Sequence, residues 1–231
     1  MIEKQLTLDK TKLVWLSHTT SVKTPAYGGG YDFEVIEKKQ IKCGDSCNTV
    51  ELRLSNHIGS HVDAPIHFIE DGKTISDYDP HEWIFDKPII IDIKVSEAEI
   101  IEADHLISAG IADFDNADLI LIRTGEEQYR GKERYSQSSP GYSEKLYDFL
   151  KNRFQSFKAI GMDTISISSY KNRELGRKVH RVFLGQGIRI FEDLRLSAIP
   201  KNSNLEKVIA LPFRYENSDG SPVTIIGEIG E

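Results

Sequence analysis

The sequence has little cysteine, a deficit of basic charge and no long apolar run. Its 231 residues include two cysteines, Cys43 and Cys47, whose spacing resembles half of a zinc site without the second pair that would complete it. Lysine and arginine total 29 against 36 acidic residues, and a formal charge of −7 without a basic stripe argues against a nucleic-acid partner. The most apolar stretches, residues 88–94 and 117–123, are far too short to span a bilayer, so we expect no membrane partner.

The start of the chain and its length indicate location and organisation. Residues 1–6 show no apolar segment behind a basic start, so we expect no secretory signal and a cytoplasmic protein, where reduced cysteines are normal. The length fits one large domain, residues 1–231, which buries enough apolar surface to fold without disulfides.

Short β-rich runs outnumber helical patterns along the chain. Alternating or continuously apolar runs predict strands at residues 13–16, 31–37, 49–55, 89–93, 119–123, 159–162 and 208–211. Helical spacing predicts helices at 143–154, with Ser143 as N-cap, at 173–184, and a shorter one at 97–107. Because the strands do not alternate regularly with helices, we predict an α+β fold: one mixed domain with a curved, barrel-like sheet and helices packed outside it.

Residues 57–67 concentrate groups that bind metals. Three of the chain's seven histidines and one aspartate fall within these eleven residues. Imidazole combined with carboxylate suits Zn²⁺, Mn²⁺ or Fe²⁺ better than Ca²⁺ or Mg²⁺. The candidate site residues in this segment are His57, His61, Asp63 and His67.

These side chains can meet only if the segment bends. In a straight strand His57 and His61 would lie about 13 Å apart, too far to share one ion. A helix is disfavoured by Pro65. We therefore predict a bend at Gly59, an extended His61-Val-Asp63 with both side chains on one side, and an exit stiffened by the proline.

The segment His57-Ile-Gly-Ser-His61-Val-Asp63-Ala-Pro-Ile-His67 resembles the signature His-x-Gly-Thr-His-x-Asp-Ala-Pro-x-His of the Putative cyclase family. That family includes bacterial kynurenine formamidases and isatin hydrolases. Weaker matches follow in the family's order: Trp15-Leu-Ser-His18, Ile122-Arg-Thr-Gly125, Gly161-Met-Asp163-Thr and Asp219-Gly-Ser-Pro222. The resemblance implies a fold of the swivelling β/β/α type, a small-molecule substrate and a homodimer or homotetramer.

The resemblance also implies a binuclear site with two divalent ions, Zn²⁺ first and Mn²⁺ second. Its metal ligands would be His57, His61 and a bridging Asp63, together with the distal pair His180 and Glu192, while His67 would be the catalytic acid or base. Taken alone, His180 is equally well explained as a structural histidine on a helix, and Glu192 as a solvated carboxylate. We include both because the first cluster leaves a second ion short of ligands.

This constellation predicts metal-assisted hydrolysis of an amide, formamide or lactam, since no Gly-x-Ser-x-Gly elbow supplies a nucleophile. N-formylkynurenine is one candidate substrate, although Thr24-Pro-Ala-Tyr27-Gly-Gly-Gly departs from the Trp-Pro-Gly-Asp stretch typical of kynurenine formamidases. One alternative is a mononuclear iron oxygenase that uses His61, Asp63 and His180, with Arg189 pairing with an oxo-acid. Another is a catalytically inactive metal-binding domain. Of the remaining histidines, we expect a structural role for His18 and surface positions for His81 and His105.

Overall fold

A curved sheet of nine strands dominates the part of the chain that the computed structural model describes, residues 12–230. The strands are β1 (Lys12–Trp15), β2 (Phe33–Lys39), β3 (Thr49–Leu54), β4 (His61–Asp63), β5 (Ile84–Phe85), β6 (Pro88–Asp92), β7 (Ile100–Ile101), β8 (Leu119–Arg123), β9 (Gly141–Tyr142), β10 (Ala159–Met162), β11 (Arg189–Glu192), β12 (Leu205–Pro212) and β13 (Gly220–Ile229). The α-helices are α1 (Ala103–Ser108), α2 (Glu133–Gln137), α3 (Leu146–Arg153) and α4 (Arg173–Gly185). The pairs β2–β3 and β7–β9 form separate two-stranded sheets.

The strand order makes the large sheet half parallel and half antiparallel. It runs β5-β12-β13-β4-β11-β10-β8-β6, with β1 also paired to β13. The strands β6, β8, β10 and β11 are mutually parallel, and the remaining pairs are antiparallel. Because β12 also approaches β6, the sheet curls almost into a barrel. The predicted α+β fold with a barrel-like sheet and helices outside it is confirmed.

Both faces of the parallel half are buried, which explains its continuous apolar runs. In β8, Leu119 and Leu121 face the inside of the curved sheet, where they join Phe191. The intervening Ile120 and Ile122 face the opposite core, which the helices cover. The sheet therefore separates two hydrophobic clusters, and the metal-ligand candidates His61, Asp63 and Glu192 lie on β4 and β11, in the middle of the strand order.

The strands predicted at 119–123 and 159–162 and the helix at 173–184 are confirmed, with α4 ending one residue later. The helix predicted at 143–154 is observed as Leu146–Arg153, and residues 143–146 before it form a turn in which the N–H of Leu146 donates to the carbonyl of Ser143. The first part of the helix predicted at 97–107 is wrong. Residues 100–101 form β7, and α1 begins at Ala103.

Two features of the fold were not predicted. Between β6 and β11 the helices α1, α3 and α4 do alternate with parallel strands, which the weak pattern at residues 97–107 concealed. The long strand β13 was also missed, because Pro222 and Gly227 are atypical of strand interiors.

The structure bears on only one of the two expectations about a signal segment and a membrane span. The absence of a secretory signal concerns residues 1–6, which lie outside the described residues. Within residues 12–230, no helix has the length and apolar character needed to cross a bilayer.

Candidate active site

The segment 57–67 bends as predicted. Gly59 has a φ of +68°, the left-handed region that glycine enters without strain. The following strand β4 lies between β11 and β13. Because alternate residues of a strand point to the same side, the side chains of His61 and Asp63 project from the same face of the sheet. Pro65 then opens a single 3₁₀ turn, Pro65–His67, which returns His67 to the same region.

Strand register and helix packing bring the distal residues to this face. Glu192 is the last residue of β11 and lies directly opposite His61 in the antiparallel pair β11–β4. Its carboxylate accepts hydrogen bonds from the backbone N–H of Ile167 at 2.7 Å and from the hydroxyl of Ser166 at 3.0 Å. His180 reaches the site from the buried side of α4.

Four buried side chains surround one small space. The Nε2 atom of His61 lies 3.5 Å from Oδ1 of Asp63 and 3.3 Å from Oε2 of Glu192. The Nε2 atom of His180 lies 3.5 Å from Oδ2 of Asp63 and 3.6 Å from Oε1 of Glu192. The two carboxylates are 1% and 3% exposed. Two buried negative groups in such proximity require positive charge between them.

A second cluster borders the first and contains a residue that we did not predict as part of the site. His57 donates through Nδ1 to Asp63 at 2.8 Å and through Nε2 to Asp219 at 3.1 Å. The ring of His67 stacks on that of His57, with centroids 4.0 Å apart, and its Nδ1 lies 3.0 Å from Asp219. Asn56 donates to the other oxygen of Asp219 at 2.6 Å. The sequence match at Asp219-Gly-Ser-Pro222 was the available signal for this residue.

The donor atoms fit divalent cations. Three triads each present ligand atoms within 4.8 Å of one another: Asp63 with His180 and Glu192, His57 with His61 and Asp63, and His57 with His67 and Asp219. The Nδ1 atoms of His61 and His180 each lie 2.8 Å from a backbone carbonyl, so they carry the proton and donate it. In the unprotonated imidazoles the Nε2 lone pairs would then face the space between the carboxylates, as in histidines that bind metals.

Without a cation, the carboxylates are balanced by protons on imidazole. Burial alone would lower the pKa of His57 and of His180, but hydrogen bonds and charge from the neighbouring carboxylates outweigh it and raise each pKa to about 10. Burial likewise opposes ionisation of Asp63, yet His180 and His57 hold its pKa well below its ordinary value. A divalent ion would take the place of these protons, because a metal ligand must be unprotonated imidazole.

His67 is electrostatically different from its neighbours. Burial lowers its pKa below the ordinary 6.5, and the attraction of Asp63 and Asp219 does not compensate, in part because His57 and His180 repel a proton there. The ring is therefore neutral at pH 7. Its Nδ1–H donates to Asp219, which leaves the Nε2 lone pair available for proton transfer.

These clusters form the floor of a cavity of about 360 Å³, which is within the range of small-molecule sites. The cavity combines the polar floor with apolar and cationic walls. Besides the clustered residues, the wall includes Pro25, Tyr27, Phe68, Ile165, Arg173 and Arg177.

Arg189 does not lie where the oxygenase alternative requires it. The side chain is 2% exposed, its guanidinium stands about 5 Å from the rings of Tyr78, Trp83 and Phe85, and it donates to the carbonyl of Glu82. It does not line the cavity, so it cannot pair with an oxo-acid bound there. The iron oxygenase alternative loses its co-substrate residue.

The remaining histidines and cysteines lie away from the cavity. The backbone N–H of His18 donates to the hydroxyl of Ser60 at 2.8 Å, a structural contact. His81 is exposed, and His105 pairs with Glu99 at 3.1 Å on a half-buried surface. Both cysteines are free and exposed near the connection between β2 and β3.

Comparison with known proteins places this geometry in a family. The family model described as "Putative cyclase" matches residues 14–169, more than half of the chain. The chain belongs to this family. Its matched part includes the whole motif 57–67, while His180, Glu192 and Asp219 lie beyond it.

Relatives of this cyclase-family chain are similar over most of their length. It is 29% identical over 202 residues to the kynurenine formamidase of Bacillus cereus strain ATCC 14579, covering 85% of this chain and 86% of that protein. It is 25% identical to the kynurenine formamidase of Delftia acidovorans, covering 94% and 97%. The fold matches isatin hydrolase A from Labrenzia aggregata, solved with benzyl benzoate, at a TM-score of 0.79 and 20% identity, covering 96% and 94% of the two chains.

Proposed function

We propose that this chain is a metal-dependent hydrolase that cleaves an amide-type carbon–nitrogen bond in a small molecule, using two divalent ions. One observation carries the proposal: Asp63 directs Oδ1 towards His57 and His61 and Oδ2 towards His180. A buried carboxylate with imidazoles on both sides has the arrangement of a bridging ligand. The similarity to kynurenine formamidases and isatin hydrolases supports the same reaction class.

Two of the three triads, which share Asp63, would each hold one ion. His57, His61 and Asp63 would hold one, and Asp63, His180 and Glu192 would hold the other. Nitrogen and carboxylate donors favour Zn²⁺, with Mn²⁺ as the second choice. When bound, such ions provide an activated water at neutral pH and polarise a carbonyl group.

His67 and Asp219 are placed to move the proton that amide cleavage requires. His67 is neutral at pH 7 and lines the cavity. It takes a proton through Nε2 as the water attacks and returns it to the departing nitrogen. The carboxylate of Asp219 remains ionised, because the hydrogen bond and charge of His57, with a hydrogen bond from His67, hold its pKa far below its ordinary value, and it keeps the His67 ring in the required tautomer.

The cavity walls favour a substrate with an apolar body. Phe68 stacks on His180, with ring centroids 4.5 Å apart, and Tyr27 faces the same space from the loop after Pro25. An aryl formamide such as N-formylkynurenine, or a fused lactam, suits this space. We further propose that the protein is cytoplasmic. We also propose that it self-associates as a dimer or tetramer, an oligomeric state that size-exclusion chromatography with light scattering would measure.

The test uses purified protein loaded with Zn²⁺ or Mn²⁺ and a panel of aryl formamides, lactams and small cyclic imides. We expect hydrolysis of at least one class, loss of activity with EDTA and recovery on adding metal. His67→Ala should retain metal but lose about 10²–10⁴-fold in kcat, whereas His105→Ala, which also removes a half-buried imidazole, should behave as wild type. Undiminished turnover in His67→Ala would contradict its role, and activity that survives full metal removal would contradict the proposed function.

A further inference from the structure

Two arginines in the cavity wall have no part in the chemistry described above. Arg173 and Arg177 both line the cavity, and both side chains belong to exposed residues of α4. Within residues 12–230, no carboxylate lies within ion-pair distance of either guanidinium. The one recorded contact is that of Arg173, which lies 5.5 Å from the centre of the Tyr170 ring. Their positive charge therefore remains available to a ligand.

Helix geometry relates these arginines to the metal cluster. Arg173, Arg177 and His180 are spaced by four and then three residues, so they share one face of α4. With a rise of 1.5 Å per residue, Arg177 stands about 4.5 Å from His180 along the helix axis, and Arg173 stands about 10.5 Å from it. The face that delivers the imidazole to the floor of the cavity thus continues outwards as a cationic stripe.

The stripe is not explained by the stability of the helix. Arg173 lies in the first turn of α4, where the helix dipole disfavours positive charge. Neither arginine is compensated by an ion pair, so both raise the local positive potential of the cavity mouth. This unfavourable placement of positive charge is explained if the opening of the cavity admits an anionic ligand.

Apolar side chains also line the cavity beside the arginines. Phe68 stacks on His180, with ring centroids 4.5 Å apart, and the buried Ile165 contributes to the same lining. Tyr27 packs edge-on against Tyr170 with centroids 5.4 Å apart, which brings the loop after Pro25 next to the arginines. A ligand in this cavity therefore has metal-binding groups, apolar side chains and two guanidinium groups within one lining.

We propose that Arg173 and Arg177 bind a carboxylate of the substrate, so that the preferred substrates are amides with an aromatic or apolar body and an anionic group about 5–10 Å from the bond that breaks. This inference rests on the proposed amide hydrolysis at the same site. Each planar guanidinium group supplies paired N–H donors that match the two oxygens of a carboxylate. A lysine ammonium group does not offer such a pair. The acid therefore anchors the far end of the substrate while its amide lies over the floor.

The experiment compares substrates that differ only in charge. We would measure kcat/KM for 4-formamidobenzoate and for its neutral analogue 4-formamidobenzamide, with the metal-loaded protein. Wild type should prefer the anion by about tenfold or more, and added NaCl should reduce this preference because it screens charge. Arg177→Ala and Arg173→Ala should each reduce the ratio, Arg177→Lys should restore part of it, and the changes should appear mainly in KM.

Lys178→Ala is the matched control. Lys178 is exposed, adjoins Arg177 on the same helix and does not line the cavity, so this variant removes the same charge without touching the stripe. The control should keep the wild-type ratio. Equal kcat/KM for the two substrates in wild type, or equal loss of the ratio in the control and in Arg177→Ala, would overturn the proposal.

A binding measurement separates this inference from the proposed reaction. Calorimetric titration with 4-methylbenzoate requires no turnover, and it should show an affinity for wild type and Lys178→Ala that falls about tenfold in Arg177→Ala. If the carboxylate binds with this pattern but no amide is hydrolysed, the proposed function fails and the anion site stands. If formamides are hydrolysed while carboxylate affinity is the same in all variants, the anion site fails and the proposed function stands.

Discussion

Gly176 offers the sharpest test of how α4 is positioned, because it lies where the helix touches the segment 166–168. A Cβ atom at Gly176 would lie 2.6 Å from Cβ of Ser168 and closer still to its hydroxyl oxygen. The same segment holds Glu192 through Ser166 and Ile167, while α4 carries His180. The change Gly176→Ala therefore pushes one half of the metal cluster away from the other.

The expected magnitude follows from the contact distance. Carbon atoms in contact prefer about 3.5–4.0 Å, so helix and segment must separate by about 1 Å. Such overpacking costs about 1–3 kcal/mol, and alanine in a helix interior recovers about 1 kcal/mol. We expect a net loss of up to about 2 kcal/mol, or up to about 8 °C in Tm for a chain of this size. A displacement of 1 Å between catalytic groups costs about 10²-fold in rate.

The assay combines thermal denaturation with metal affinity, measured by competition with a chromogenic chelator. Gly185→Ala is the control, because its Cβ would make an ordinary contact of 3.4 Å with Ile69, so its Tm and metal affinity should match wild type. The double variant Gly176→Ala/Ser168→Gly removes both colliding atoms and should recover most of the loss, a non-additive result. Wild-type Tm and metal affinity in Gly176→Ala alone would refute the reasoning.

Three further predictions follow from the site. Glu192→Gln removes one charged ligand of the triad Asp63, His180 and Glu192, so elemental analysis should give one metal per chain instead of two, and two retained equivalents would exclude the assignment. Asp219→Asn deprives His67 of its carboxylate partner and should lower kcat about 10- to 100-fold at saturating metal, with an unchanged kcat as the contrary result. In EDTA, the raised pKa of His180, about 10 against 6.5 when unfolded, stabilises the fold fully below pH 6.5 and is lost as the pH rises through 10. Urea denaturation should therefore show lower stability at pH 9.5 than at pH 7 in EDTA, and a much smaller difference with metal bound.

Local pattern was sufficient where the determining interactions are local. The bend at Gly59 and the extended His61-Val-Asp63 follow from glycine's freedom and the two-residue period of a strand. The helix α4 was predictable because its apolar spacing is strong and because Gly185 ends it and Gly187 follows. Strand β8 was predictable because a strand buried on both faces is apolar throughout.

Resemblance to a family, and not local pattern, identifies His180 and Glu192 in the sequence. Neither residue stands in a segment whose spacing indicates a metal site. Their meeting depends on the antiparallel register of β11 with β4, which pairs Glu192 with His61, and on the packing of α4. Register is decided by which faces are buried across the whole sheet, and a short window of sequence does not contain that information.

The sequence by itself determined the metal-binding segment, its bend and the class of ion that it suits, because those properties reside in the residue types and spacing of eleven neighbouring positions. Only the tertiary structure decided that Asp219 joins His57 and His67 from more than 150 residues away, and that Arg173 and Arg177 extend the face of His180 into the cavity. The physical reason is that both arrangements arise from long-range packing, in which β13 closes beside β4 and α4 lies along the cavity wall.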